Sequence, residues 1–114
     1  MRDCLFCRMV AGELTPAVVF ETDQVLAFRD LRPQAPVHVL VIPKRHIATL
    51  EDFPEDDPGL AAALFAAVQR VAAAEGLAAG GYRTVINCRA DAGQEVFHLH
   101  LHVLGGRRLQ WPPG

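Results

Sequence analysis

The sequence predicts an α+β domain: a five-stranded antiparallel sheet with one long helix over a face and a short helix near the N-terminus. Three observations carry that expectation. Short β-prone runs are joined by brief connections, which suit antiparallel pairing. An alanine-rich stretch keeps its large apolar residues on one helical stripe. And 114 residues, 51% apolar and 21% charged, can bury one core and are too few for two, so residues 1–114 form a single domain.

The elements follow in order. Leu5, Phe6, Met9 and Val10 recur at helical spacing ahead of Gly12 and Pro16, which predicts a short helix whose apolar face must pack on something. Residues 17–21 and 25–29 are β-like runs separated by Thr22-Asp23-Gln24, a hairpin pattern. Two prolines make residues 31–36 a surface loop, and the nearly all-apolar run 37–43 reads as a buried central strand. Asp57 ahead of Pro58 is an N-cap followed by proline at the first helical position. From there Leu60, Leu64, Phe65, Val68 and Val71 form one stripe, and Gly76 stops the helix after about 19 residues, ~28 Å. Residues 82–87 and 96–104 are the last two strands, with a glycine-containing loop over 88–94 between them. The tail Trp111-Pro112-Pro113-Gly114 is irregular.

Composition narrows the function. A net charge of −2 from 11 basic and 13 acidic residues gives no global field for a nucleic acid duplex. No apolar run approaches the ~20 residues of a membrane span. The first residues lack the charged and apolar regions of an export signal, so a cytoplasmic location is expected, with the three cysteines reduced.

The histidines form a pattern. His98, His100 and His102 alternate with Leu99, Leu101 and Val103, and His38 lies in another predicted strand. Residues two apart share a strand face, so the three imidazoles form a row while the aliphatic side chains face the core. His38 joins the row if the two strands are neighbours. A single histidine of this kind is most simply a hydrogen-bonded structural group; three in register ask for a function. Metal binding is one, but His98 and His102 would be ~13 Å apart along a strand, too far for all three to hold one ion. Cys4 and Cys7 form CxxC, half of a tetrahedral zinc site, or else two small buried apolar side chains.

The run His98-Leu99-His100-Leu101-His102-Val103-Leu104 resembles the HxHxHxx signature of the histidine triad (HIT) superfamily of nucleotide hydrolases and transferases. The likeness extends along the chain. Phe28-Arg29-Asp30, Pro33-Gln34-Ala35-Pro36, Val41-Ile42-Pro43-Lys44, Asn87, Gly93-Gln94, Leu104-Gly105-Gly106-Arg107 and the Trp111-Pro112-Pro113-Gly114 ending resemble the Hint branch almost end to end.

That resemblance implies a purine nucleoside phosphoramidase acting on adenosine or guanosine monophosphate linked to an amine. In it His100 is the nucleophile that forms a nucleotidyl-histidine, while His102 and His38 stabilise charge and protonate the leaving group. Asn87, Gly93 and Gln94 border the phosphate, and Asp30 takes the ribose hydroxyls, although taken alone Asp30 is a turn residue. Leu5, Phe6, Met9, Phe28 and Leu31 line the base pocket or are simply core. The resemblance further implies zinc on Cys4, Cys7, His46 and His98, and a homodimer with one continuous sheet, in which Trp111 reaches the partner's site. One departure stands out: Glu95 occupies a position where animal Hint proteins carry a serine that touches phosphate. A dinucleoside polyphosphate hydrolase, a nucleotide-sensing module and, more distantly, a metalloenzyme using the HxH pair are the alternatives.

Overall fold

The computed structural model describes residues 3–114. Five strands make one sheet in the order β1-β2-β3-β5-β4, all antiparallel: β1 Val18–Glu21, β2 Val25–Arg29, β3 Val37–Pro43, β4 Tyr82–Val85 and β5 Leu101–Gly105. The predicted α+β class holds. No helix among the described residues is long and apolar enough to cross a membrane.

Both faces of the central strands are covered, which is why β2 and β3 read as continuous apolar runs rather than alternating ones. On one face lies α2, Pro58–Ala74, started by the Asp57 carboxylate, which accepts from the Leu60 amide at 3.1 Å. Its Leu60, Leu64, Ala67, Val68 and Val71 pack on Val39, Val41, Leu99, Leu101 and Val103. Phe65, expected on the same stripe, is 69% exposed and belongs to the outer surface. The helix has 17 residues rather than about 19, because Glu75 already leaves helical geometry. On the other face α1, Leu5–Val10, buries Phe6 against Leu26, Phe28, Leu40 and Ile42.

Strand lengths differ from expectation where the chain carries function. β5 starts at Leu101, not at residue 96, because its ladder with β3 stops at the Val41–Leu101 pair, although β3 itself continues beside β2 to Pro43. Beyond it Leu99 donates once, to the Ile47 carbonyl at 2.6 Å, and the approach over 96–100 is bent, not laddered. β4 stops at Val85, so Asn87 leaves the sheet; β1 begins at Val18. The loop expected over 88–94 contains a short helix, α3 Arg89–Ala92, closed by left-handed Gly93. A single 3-10 turn, Leu50–Asp52, precedes α2.

Candidate active site

A cleft of about 1060 Å³ opens on the α1 face of the sheet. His38, His100 and His102 line it together. The register explains why: His38 is opposite Leu104 and Leu40 opposite His102, so His38 and His102 are diagonal neighbours on one face of adjacent strands. The alternation survives although His100 precedes the strand. Leu99, Leu101 and Val103 sit in the core under α2, and Phe6 stands edge-on to both His98 and His100.

Hydrogen-bond partners dictate each tautomer. His100 Nδ1 lies 2.7 Å from the His98 carbonyl, which can only accept, so Nδ1 carries the proton and Nε2 keeps a bare lone pair. The Gln34 amide donates to His38 Nδ1 at 3.0 Å, so the proton of His38 is on Nε2 and points to His102 Nδ1 at 2.9 Å. His102 must then carry its proton on Nε2, and that buried atom has no partner among the described residues. It is a donor waiting for an acceptor, in a ring whose centroid is 5.0 Å from that of His100. Burial, then His100 and His38, push the His102 pKa down to about 4, Asp30 opposing. Burial lowers that of His38 as well, again opposed by Asp30. Both rings are neutral at pH 7.

The turn after β2 places Asp30. Its Oδ1 accepts from the Arg32 amide at 2.8 Å, the turn role, while Oδ2 is 3.5 Å from His38 Nε2 and remains accessible in the cleft. Gly93 and Asn87 line the same cleft. Gln94 does too, but its amide is committed: Nε2 donates to the Ala48 and Val96 carbonyls and Oε1 accepts from the Arg89 amide. It braces the loop and holds Arg89 at a φ of 66°, a bracing role that sequence reasoning missed. Leu5, Met9, Phe28 and Leu31 line the apolar end, Leu31 being 92% exposed at the rim; Phe6, also lining, is mostly buried beneath. Trp111 is 80% exposed and lines no part of this cleft in its own chain.

Cys4, Cys7, His46 and His98 converge from α1, the segment after β3 and the approach to β5, their ligating atoms all within 4.8 Å of one another. Cys4 Sγ is 3.3 Å and Cys7 Sγ 3.5 Å from His98 Nδ1, and Cys7 Sγ is 3.2 Å from His46 Nδ1. The donor set fits zinc on an independent observation. His98 Nε2 lies 2.8 Å from the Pro43 carbonyl and must hold the proton, which leaves Nδ1 bare and aimed at the sulfurs. Burial first, and the neighbouring Cys4 second, push the Cys7 thiol up, a cost that a bound cation removes.

Fold and site together gather His38, His100 and His102 into one cleft on a sheet face, with His98 beside it in the cysteine cluster. Sequence comparison makes this specific: a profile of the HIT domain matches residues 11–109, and the chain belongs to that family. An uncharacterized HIT-like protein of Synechococcus elongatus is 50% identical over 112 residues, 98% of this chain and 97% of its own. Among solved structures, a HIT family hydrolase from Legionella pneumophila superposes with a TM-score of 0.95 at 54% identity, covering 98% of this chain and 100% of that one. A histidine triad nucleotide-binding protein from Candida albicans gives 0.83 at 29% identity, over 98% and 85%.

Proposed function

We propose that the protein is a Hint-type hydrolase that cleaves the P–N bond between a purine nucleoside monophosphate, of adenosine or guanosine, and an amine. The observation that carries this reading is the pairing of a bare Nε2 on His100 with a buried, unpartnered N–H on His102, two residues that line one cleft. That pairing supplies a nucleophile and an oxyanion donor side by side. The Legionella relative is named a hydrolase and the Candida relative a nucleotide-binding protein, which supports both halves of the reading.

In this mechanism the base lies against Leu5, Met9, Phe28 and Leu31 over Phe6, and Asp30 accepts from the ribose hydroxyls. His102 Nε2–H meets a phosphoryl oxygen, with Asn87 and Gly93 beside it. His100 Nε2 attacks phosphorus as the P–N bond breaks. The amine needs a proton to leave, and in this reading it comes from solvent or through the His102–His38 pair, whose basicity the bound phosphoryl anion raises. Water then attacks the nucleotidyl-histidine and releases the nucleoside monophosphate. Zinc on Cys4, Cys7, His46 and His98 is structural in this reading, since four protein ligands leave no open position. The protein acts as a homodimer in the cytoplasm, where thiolates stay reduced.

The test is kinetic. Wild-type protein should hydrolyse an adenosine phosphoramidate faster than a dinucleoside tri- or tetraphosphate, and His100→Ala should lose at least about a thousandfold in kcat while still binding adenosine monophosphate. Preference for the dinucleotide, or near wild-type turnover by His100→Ala, would overturn the reading.

A further inference from the structure

We propose that Glu95 selects the leaving group, favouring an amine that carries a second, protonated amino group and disfavouring an anionic one. The proposal rests on the phosphoramidase reading above and names the substrate class of that same site.

Glu95 is fixed at the cleft by its neighbours. The Gln94 side chain donates to the Val96 carbonyl just beyond Glu95 and to the Ala48 carbonyl of the segment after β3, which ties this stretch to the body of the protein. Gln94 is buried and Val96 packs into the cluster under α1, so Glu95 between them turns outward, exposed and lining the cleft that contains His100 and His102. The two stretches of chain that wall the cleft differ in charge. Arg29 and Arg32 flank Asp30 on the nucleoside wall, and the Arg29 guanidinium is already clamped by Glu75. In the other stretch, from Asn87 to Val96, Glu95 is the one charged side chain among the described residues that line the cleft. Arg89, the nearest cation in sequence, is not part of the lining and faces Asp52 at 3.8 Å.

With the nucleoside on the Asp30 wall and the phosphate at His100, the leaving group is left with the Asn87–Val96 wall. A polyphosphate there would find a carboxylate and no cation. A leaving amine with an ammonium a few bonds away would find a counter-charge. In a cleft open to solvent a single such pair changes binding by a factor of about two to five, and salt weakens it.

The experiment compares kcat/KM for three adenosine phosphoramidates of matched length whose amines end in an ammonium, a methyl or a carboxylate. Enzymes are wild type, Glu95→Gln and Glu95→Lys. The expected result is that the ammonium-to-carboxylate ratio falls about fivefold in Glu95→Gln, falls further in Glu95→Lys, and that the wild-type ratio shrinks in high salt. If wild type hydrolyses the methyl compound and neither variant moves the ratio, the assignment of Glu95 is overturned while the phosphoramidase reading stands. If wild type cleaves none of the three but does cleave a dinucleoside polyphosphate, both fall, because that leaving group is anionic.

Discussion

His102 is neutral because of where it sits, and the sign of the resulting pH dependence follows. Its pKa is pushed down to about 4, burial first. The unfolded chain takes up that proton near the ordinary imidazole value of about 6.5. Between the two values the unfolded state binds more protons, so this contribution to stability is fully present above pH ~6.5, declines on acidification and levels off below ~4. His102→Gln should flatten the acid limb of a denaturation series by up to about 1.4 kcal/mol per pH unit; parallel limbs in parent and variant would show that His102 is not held neutral. Asp30 separates its two roles in the same way. Asp30→Asn keeps an acceptor for the Arg32 amide but loses the charge, so adenosine monophosphate should bind about tenfold more weakly with little change in melting temperature, by calorimetry on both. Which histidines share a face was legible in the sequence, because the alternation of His100 and His102 with the core residues Leu99, Leu101 and Val103 holds even though the approach over 96–100 is bent and unpaired. Which nitrogen carries each proton was not. The partners that decide it are main-chain groups of His98, Gln34 and Pro43, placed by turns that no side-chain pattern encodes.

Elements that reach their ends through strong local chemistry were legible: α2 begins at the Asp57 cap as expected, and β3 matches its apolar run. Elements ended by their neighbours were not, as in β5, whose start is set by where its ladder with β3 stops, at the Val41–Leu101 pair. The small helix α3 was hidden in a glycine-containing loop, though Ala-Asp-Ala ahead of Gly93 is a usable signal. The Gly105-Gly106 end of β5 shows how a connection supports the site. Gly106 has φ +92°, and a Cβ there would lie 2.8 Å from Pro36 Cβ. Pro36 belongs to the loop whose Gln34 amide fixes the His38 tautomer, and Arg107 donates to the Gln34 carbonyl at 3.0 Å. Gly106→Ala should cost about 2 kcal/mol of stability and lower kcat as well, read by denaturation and steady-state rates; a variant as stable as its parent would remove the argument. The Cys4–Cys7–His46–His98 cluster does the same for α1. Purified protein should contain about one zinc per chain. Because Phe6 of α1 stands against Phe28 and His100, Cys4→Ser with Cys7→Ser should lower the melting temperature and raise KM before it changes kcat. Zinc-free protein of full stability would return both cysteines to the core.

At the scale of the molecule the sheet has two unpaired edges, and they are not equivalent. β1 carries a register shift between Val18 and Phe20, and such irregularities blunt an edge. β4 pairs with β5 in unbroken register and presents its other side to solvent. Beside it, the outer surface of α2 exposes Phe65, and a second depression of about 260 Å³ is walled wholly by apolar side chains, among them Leu50, Phe53, Leu64, Phe65 and Ile86. An open strand edge next to an apolar hollow is the pair of features that a symmetric partner satisfies at once: the edge by continuing the ladder across a twofold axis, the hollow by receiving Phe65 of the other copy. The β4 edge is therefore the dimer interface proposed for this protein, and the exposed Trp111 tail is tied through Gln110 to Arg83 of that same strand, where a partner docked on the edge would meet it. Sedimentation at micromolar concentration should give twice the chain mass of 12.4 kDa, and Phe65→Asp should give the single chain with its sheet intact by circular dichroism. Removing residues 111–114 should leave adenosine monophosphate affinity within about twofold while shifting preference among leaving amines, because the tail would act across the interface and not within its own cleft. A wild-type monomer at that concentration would refute the interface. A dimer indifferent to Phe65→Asp would move it to the other edge.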